Sequence, residues 1–207
     1  MGTLLAAGLA ASVLLWFIYH MTFDAAAAYA PIQPRLAWFY KPPNDGDLTT
    51  LARRFDFYVL TKTDELVRDA LRARGERGPF IQYLLLTEVV DPMSCSEQPW
   101  RNQVTDRVGD FCMISEKHPE WFLRDADGDL VTSSAHDGVR YGMIDPGNPN
   151  WRAFWLERAL QMEKELGWDG VFLDNVEASL SKMKERGNTP ATYPDDPGYR
   201  SAVEGFL

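Results

Sequence analysis

The chain has 207 residues, a formal net charge of −9, and 45% hydrophobic and 13% aromatic residues, a composition that excludes a disordered or low-complexity polymer. The length allows one sizeable core yet falls short of the ~250 residues of a complete (β/α)₈ barrel. With a sequence pI near 4.8 and no block of Lys or Arg, a nucleic-acid surface is excluded, because phosphate neutralisation needs clustered positive charge.

Leu4 to Tyr19 form an apolar run broken only by Gly8 and Ser12, and the first charge is Asp24. Residues 1–30 are therefore expected to be a signal peptide, cleaved at the small-x-small pattern around Ala28 or Ala30, or a retained membrane anchor through residues 4–19. Residues 31–207 are expected outside the cytoplasm, secreted or anchored. In that setting Cys95 and Cys112 are expected to form a disulfide. Their spacing does not suit a CxxC redox or zinc motif, and no metal or cofactor is expected.

From Leu36 onward, apolar runs alternate with amphipathic segments. Leu36 to Tyr40 reads as a strand, stopped by Pro42-Pro43, with Leu48 to Phe55 helical after it. Phe57 to Leu60 is a second strand. Thr63 is expected to cap a helix with Asp64 and Glu65 in its first turn and Leu66, Val67, Ala70 and Leu71 on its inner face. Phe80 to Leu86 is almost continuously apolar, as a strand covered on both faces must be. Asp91 to Gly147 is expected to be a long functional loop, with an Asp-Gly turn within Asp125 to Asp129. That acidic turn is not an EF-hand, since Leu130 and His136 occupy the positions that need Gly and Glu. Asn148 and Pro149 open a helix whose stripe is Trp151, Trp155, Ala159, Met162 and Leu166, and Gly167 closes it. Gly170 to Leu173 is a fourth strand running into Asp174-Asn175. A last helix starts at Asp196-Pro197 with Tyr199, Ala202, Val203, Phe206 and Leu207 on one face.

Alternation of this kind implies parallel strands with right-handed crossovers. No GxGxxG or GxxxxGK[ST] follows any strand and no G-x-S-x-G elbow is present, which disfavours nucleotide folds and α/β-hydrolases. The expected fold is an α/β (β/α)₈ TIM barrel of which the chain holds the first four βα units, and a chain cut off within its domain is expected.

Barrel sites form where strands end in loops, which singles out Lys41, Thr61, Glu88, Asp174 and Asn175. Asp174, placed straight after an apolar strand, is the first candidate for a nucleophile or general acid/base. The alternative is a cap for a helix beginning near Glu177. Glu177 is read either as part of a carboxylate pair or as a solvent-facing acid in that helix. Glu88 is read as a ligand for a sugar hydroxyl or a loop carboxylate in water. Trp100, Trp121 and Tyr141 are candidates for stacking on sugar rings, with local core packing as the alternative. Asp169, in an Asp-Gly turn, is assigned no chemistry.

The segments Leu36 to Tyr40, His118 to Asp125, Asp145-Pro146-Gly147-Asn148-Pro149 and Trp168 to Asn175 together resemble a glycoside hydrolase family with a TIM-barrel fold, hypothetical glycosyl hydrolase family fifteen. They are also similar to the neighbouring endo-polygalactosaminidase barrels. The likeness spans about Arg35 to Leu207, and its most specific piece is D-G-V-F-L-D-N. It implies glycosidic-bond hydrolysis of an extracellular polysaccharide or oligosaccharide, with Asp174 matching the acid that ends the fourth strand. Lys41, Glu88, Trp121, Asn175 and Glu177 are then candidates for substrate binding. The second carboxyl group that hydrolysis requires is expected after a later strand beyond residue 207, unless Glu88 or Glu177 substitutes. A noncatalytic carbohydrate-binding or cell-surface barrel is the rival expectation.

Overall fold

The computed structural model describes residues 36–40, 47–61, 64–96, 110–134, 139–185 and 187–207. The chain divides into two units, residues 1–35 and 36–207, and all described residues belong to the second. The expected signal or anchor and its residues 4–19, Lys41, Thr63, Trp100 and His136 lie outside the described residues. No described helix is long and apolar enough to cross a membrane.

In chain order the elements are β1 (Ala37–Phe39), α1 (Leu48–Arg54), β2 (Phe57–Leu60), α2 (Glu65–Ala73), β3 (Phe80–Leu85), β4 (Glu88–Val90), α3 (Asp110–Lys117), a 3₁₀ turn (Pro119–Trp121), β5 (Thr132–Ser134), β6 (Arg140–Met143), α4 (Pro149–Leu166), β7 (Gly170–Asp174), α5 (Ser181–Lys184) and α6 (Asp196–Glu204). β1, β2, β3 and β7 form a four-stranded sheet in that order, every pair parallel. Four βα units of a TIM-barrel type are therefore present, as expected.

The two faces of this sheet differ. Tyr58, Leu60, Phe80 and Leu84 pack with Trp151, Trp155 and Ala159 of α4 in the main core. The alternate residues Val59, Tyr83 and Leu85 gather Tyr40, Ile81, Tyr141 and Phe172, with Phe39 ring-to-ring against Tyr83 and Phe172. Period-two alternation along each strand produces this division.

α4 begins and ends on its local signals. Asn148 Oδ1 accepts from the backbone N–H groups of Asn150 and Trp151, and Gly167 takes the left-handed conformation that ends the helix (φ 72°). Trp151, Trp155, Ala159 and Met162 are buried as expected, but Leu166 is exposed. The left-handed turn at Gly167 carries Trp168 into the core in its place.

α2 sets Leu71 and Val67 of its expected inner face against the core but departs from that face at Leu66. Leu66 is 84% exposed, whereas Arg68 is buried. The Arg68 guanidinium donates to the Leu166 carbonyl and lies 4.8 Å from the Trp168 ring centroid, while Arg72 donates to the Gly167 carbonyl at 3.0 Å. The last carbonyls of α4 need donors, and that demand turns the arginines inward. Asp64 stands at the N-cap position of α2, but its carboxylate accepts from Thr61 N (2.9 Å) and Oγ1 (2.5 Å), so Thr61 closes the β2–α2 corner.

The stretch expected as a long loop holds α3 and two strands, β5 and β6, which join β4 in a second, antiparallel sheet of order β4-β6-β5. Strands of three or four residues with mixed polarity leave no apolar run to read. The Asp-Gly turn is present: Arg124 bridges Leu130, and Asp125 Oδ1 accepts from the N–H groups of Asp127 and Asp129. The Cys95–Cys112 disulfide ties the chain after β4 to α3. α6 buries Tyr199 and Val203, but Leu207 is 69% exposed.

Candidate functional site

β7 ends at Asp174, whose Cα pairs in register with Leu85, as Phe172 pairs with Tyr83. Alternation puts Asp174 on the aromatic face with Tyr83, Leu85 and Phe172, at the carboxyl end of the parallel sheet. The residue is half-buried, and residues 175–179 are not helical. Asp174 therefore caps no helix near Glu177, and Glu177 is not a first-turn helix acid, since the next helix begins at Ser181. Glu177 instead pairs with Lys182. Lys182 had no signal in the sequence: it arrives only because the irregular segment after β7 folds back. Its ammonium is held above the usual lysine range by the hydrogen bond to Glu177, with Glu88 and Asp174 adding attraction.

Glu88 does not close the third strand. β3 ends at Leu85, Leu86 and Thr87 make the bend, and Glu88 opens β4. Nor is it a loop carboxylate in water, being 4% exposed. Its Oε1 accepts from Ser133 Oγ (3.2 Å) and its Oε2 from Asn175 Nδ2 (2.7 Å). Desolvation pushes its carboxyl above the ordinary range, a tendency that Asn175, Ser133 and Lys182 oppose.

Asn175 adopts a left-handed backbone (φ 54°), which Asn tolerates better than most residues. Tyr40, just past β1, does the same (φ 75°). Two non-glycine residues held this way at strand ends mark backbone maintained against its own preference at a cost of order 1–3 kcal/mol each. Tyr199 is buried, and burial, with the charges of Glu88, Glu177 and Asp145, pushes its phenol up to about 12.

The remaining candidates are elsewhere. Trp121 is 4% exposed, its ring stacked on His118 at 4.0 Å and packed against Trp151 and Phe154. Its faces are spent on the core and do not meet a sugar. Tyr141 joins the aromatic face. Asp169 ties β7 to β3 by accepting from Phe80 N and Arg72, both at 2.9 Å. Among the described residues no group of three or more His, Cys, Asp or Glu side chains is placed to hold a metal. The arrangement thus offers one strand-end carboxylate, Asp174, beside an aromatic face, with Glu88, Asn175, Glu177 and Lys182 around it.

A model of the family described as hypothetical glycosyl hydrolase family 15 matches residues 94–204, more than half of the chain. Among solved structures, the glycoside hydrolase domain of PelA from Pseudomonas aeruginosa aligns with a TM-score of 0.50 and 22% identity, covering 84% of this chain and 54% of that one. The alpha-galactosidase TtGalA from Thermus thermophilus, in complex with stachyose, aligns with a TM-score of 0.49 and 18% identity, over 85% of this chain and 39% of that one. The first likeness is one of fold, and the chain spans about half the length of that hydrolase domain. No curated protein matches the sequence.

Proposed function

The chain belongs to hypothetical glycosyl hydrolase family 15, and on that footing we propose that the protein hydrolyses glycosidic bonds of an extracellular polysaccharide, with Asp174 as a catalytic carboxylate. The observation that carries the reading is the placement of Asp174 at the carboxyl end of β7, on the aromatic face and without a helix to cap. Barrel chemistry is built at that end of the strands.

Asp174 serves hydrolysis in one of two ways. It attacks the anomeric carbon as the glycosidic C–O bond breaks, forming a glycosyl-enzyme that water then cleaves, or it takes a proton from water attacking that carbon; in both, the leaving oxygen is protonated by a second carboxyl group. Each needs a second carboxyl group, ~5–5.5 Å away for retention or ~6.5–9.5 Å for inversion. Glu88 has both oxygens occupied by Ser133 and Asn175, and Glu177 is paired with Lys182. We therefore assign the second group to another strand end of the barrel. The exposed Phe39 ring and the half-buried Tyr40 and Phe172 rings on the face that carries Asp174 suit a sugar face. The disulfide fits an oxidising compartment, in keeping with an exported protein.

The test uses the intact protein and a panel of soluble neutral and amino-sugar polysaccharides, with reducing ends as the readout. Release on at least one polymer is expected, and Asp174→Asn is expected to lower kcat by about a thousandfold or more while the fold persists. Turnover unchanged by Asp174→Asn would sink the assignment, and binding without release would favour a noncatalytic carbohydrate-binding protein.

A further inference from the structure

The end of β7 is gripped at three successive points by the bend between β3 and β4. Leu86 N donates to the Asp174 carbonyl at 3.3 Å, Thr87 Oγ1 donates to the Asn175 carbonyl at 3.5 Å, and Glu88 Oε2 accepts from Asn175 Nδ2 at 2.7 Å. Behind this, Ser133 of β5 donates to the other oxygen of Glu88, and the Thr87 carbonyl accepts from Ile144 N at 2.9 Å. A residue just past a strand end has no ladder partner to fix it, so its direction depends on such contacts.

We propose that Glu88 is a positioning residue for the strand-end acid: buried and held by Ser133, it clamps the left-handed Asn175 and thereby fixes the direction in which Asp174 leaves β7. This assigns Glu88 to Asn175 and not to a sugar hydroxyl, and it rests on Asp174 being the catalytic carboxylate. Glu88 has a protein partner on each oxygen and, at 4% exposed, no surface with which to meet substrate. Asn175 turns one of its two amide N–H groups inward to Glu88 from a left-handed backbone.

Because misplacing a reacting group by about 1 Å can cost roughly a hundredfold, loss of the clamp should appear in kcat. Asn175→Gly removes the amide at a position where glycine adopts the left-handed backbone without steric cost. In the intact protein, kcat is expected to fall by about 10- to 100-fold with KM within about threefold. Glu88→Ala should match it. The double variant should be no worse than either single by more than about threefold, because the two act through one contact. Glu88→Gln, whose amide oxygen still accepts from Asn175, should recover about tenfold or more over Glu88→Ala. Single-variant kcat values within about twofold of the parent, or losses that multiply in the double variant, would overturn the proposal. With Asp174→Asn alongside, the outcomes separate. An inactive Asp174→Asn with an unaffected Asn175→Gly refutes only the clamp, whereas an active Asp174→Asn refutes the assignment beneath it. Amide exchange gives a check that needs no substrate: Glu88→Ala should quicken exchange over residues 174–177 and leave α4 protected. Unchanged exchange at residues 174–177 would also overturn it.

Discussion

Replacing both cysteines by serine, Cys95→Ser with Cys112→Ser, isolates what the disulfide contributes to the excursion between β4 and β5. The bridge closes a loop with a sequence separation of 17. In the chain-entropy treatment, a loop of that size removes about 10.5 cal/mol/K from the unfolded ensemble, or about 3 kcal/mol at 25 °C. Little should be added on the native side. Cys95 is exposed and Cys112 half-buried, so serine is not forced into a dry site, and α3 keeps its own anchors. Ile114 is fully buried, and the Phe111 ring lies 5.2 Å from that of Phe122. Urea unfolding is the assay. With a slope of about 2 kcal/mol/M, the midpoint should drop by about 1.5 M, the slope staying the same or rising slightly because the unbridged chain unfolds to a more open ensemble, and the parent in reductant should follow the double variant. A drop below about 0.5 M would show that the unfolded loop is already restricted or that the bridge strains the fold, and the entropic reasoning would fail.

Two further predictions concern stability near the site. A Cβ on Gly147 would lie 2.2 Å from Tyr193 Oη, which donates to Asp145 at 2.5 Å; Gly147→Ala should therefore cost about 2–4 kcal/mol in urea unfolding, and a cost below about 0.5 kcal/mol would show that the tyrosine moves freely. For pH, burial raises the Glu88 carboxyl in the folded protein. Its contribution thus favours folding below the ordinary carboxyl range and is lost as pH rises through the folded value. The stability of Glu88→Gln relative to the parent should improve from about pH 4 to about pH 8, and a difference flat over that span would remove the desolvation argument.

What could be read from the sequence was whatever carried its own local signal. β3 and β7 are apolar runs that end at a bend or at an acid, and α4 has Asn148 and Pro149 at one end and Gly167 at the other. Asp174 was legible because an acid directly after Val171-Phe172-Leu173 has one place to go in a parallel sheet. The antiparallel sheet was not, because Glu88–Val90, Thr132–Ser134 and Arg140–Met143 are short and of mixed polarity, and long-range pairing alone defines them. Hydropathy also misplaced single residues: Leu66 faces water and Arg68 does not, since the carbonyls ending α4 attract guanidinium groups from across the interface. For Glu177 the helix alternative fails, since no helix begins between β7 and Ser181. Lys182 escaped notice because its nearness to Asp174 and Glu88 is a property of the fold and not of spacing.

The position of Asp174 depends on both sheets and on α4 together. The β3–β7 ladder sets its height through the pairing with Leu85, and the carbonyl of Leu85 is itself held by Trp155 Nε1 at 3.0 Å. α4 thereby fixes the strand position beside the acid from the core side. Only two residues, Leu86 and Thr87, separate β3 from β4, so the antiparallel sheet cannot drift from the parallel one without moving the backbone contacts to Asp174 and Asn175. A change in either layer must then reach the carboxylate. Loosening α4 at Trp155 should act on the height of Asp174, and loosening β5 at Ser133 should act on its direction through Glu88 and Asn175. Both routes run through the Leu86-Thr87 bend to the acid, and a loss confined to kcat, with the unfolding midpoint unchanged, separates either from general destabilisation of the fold.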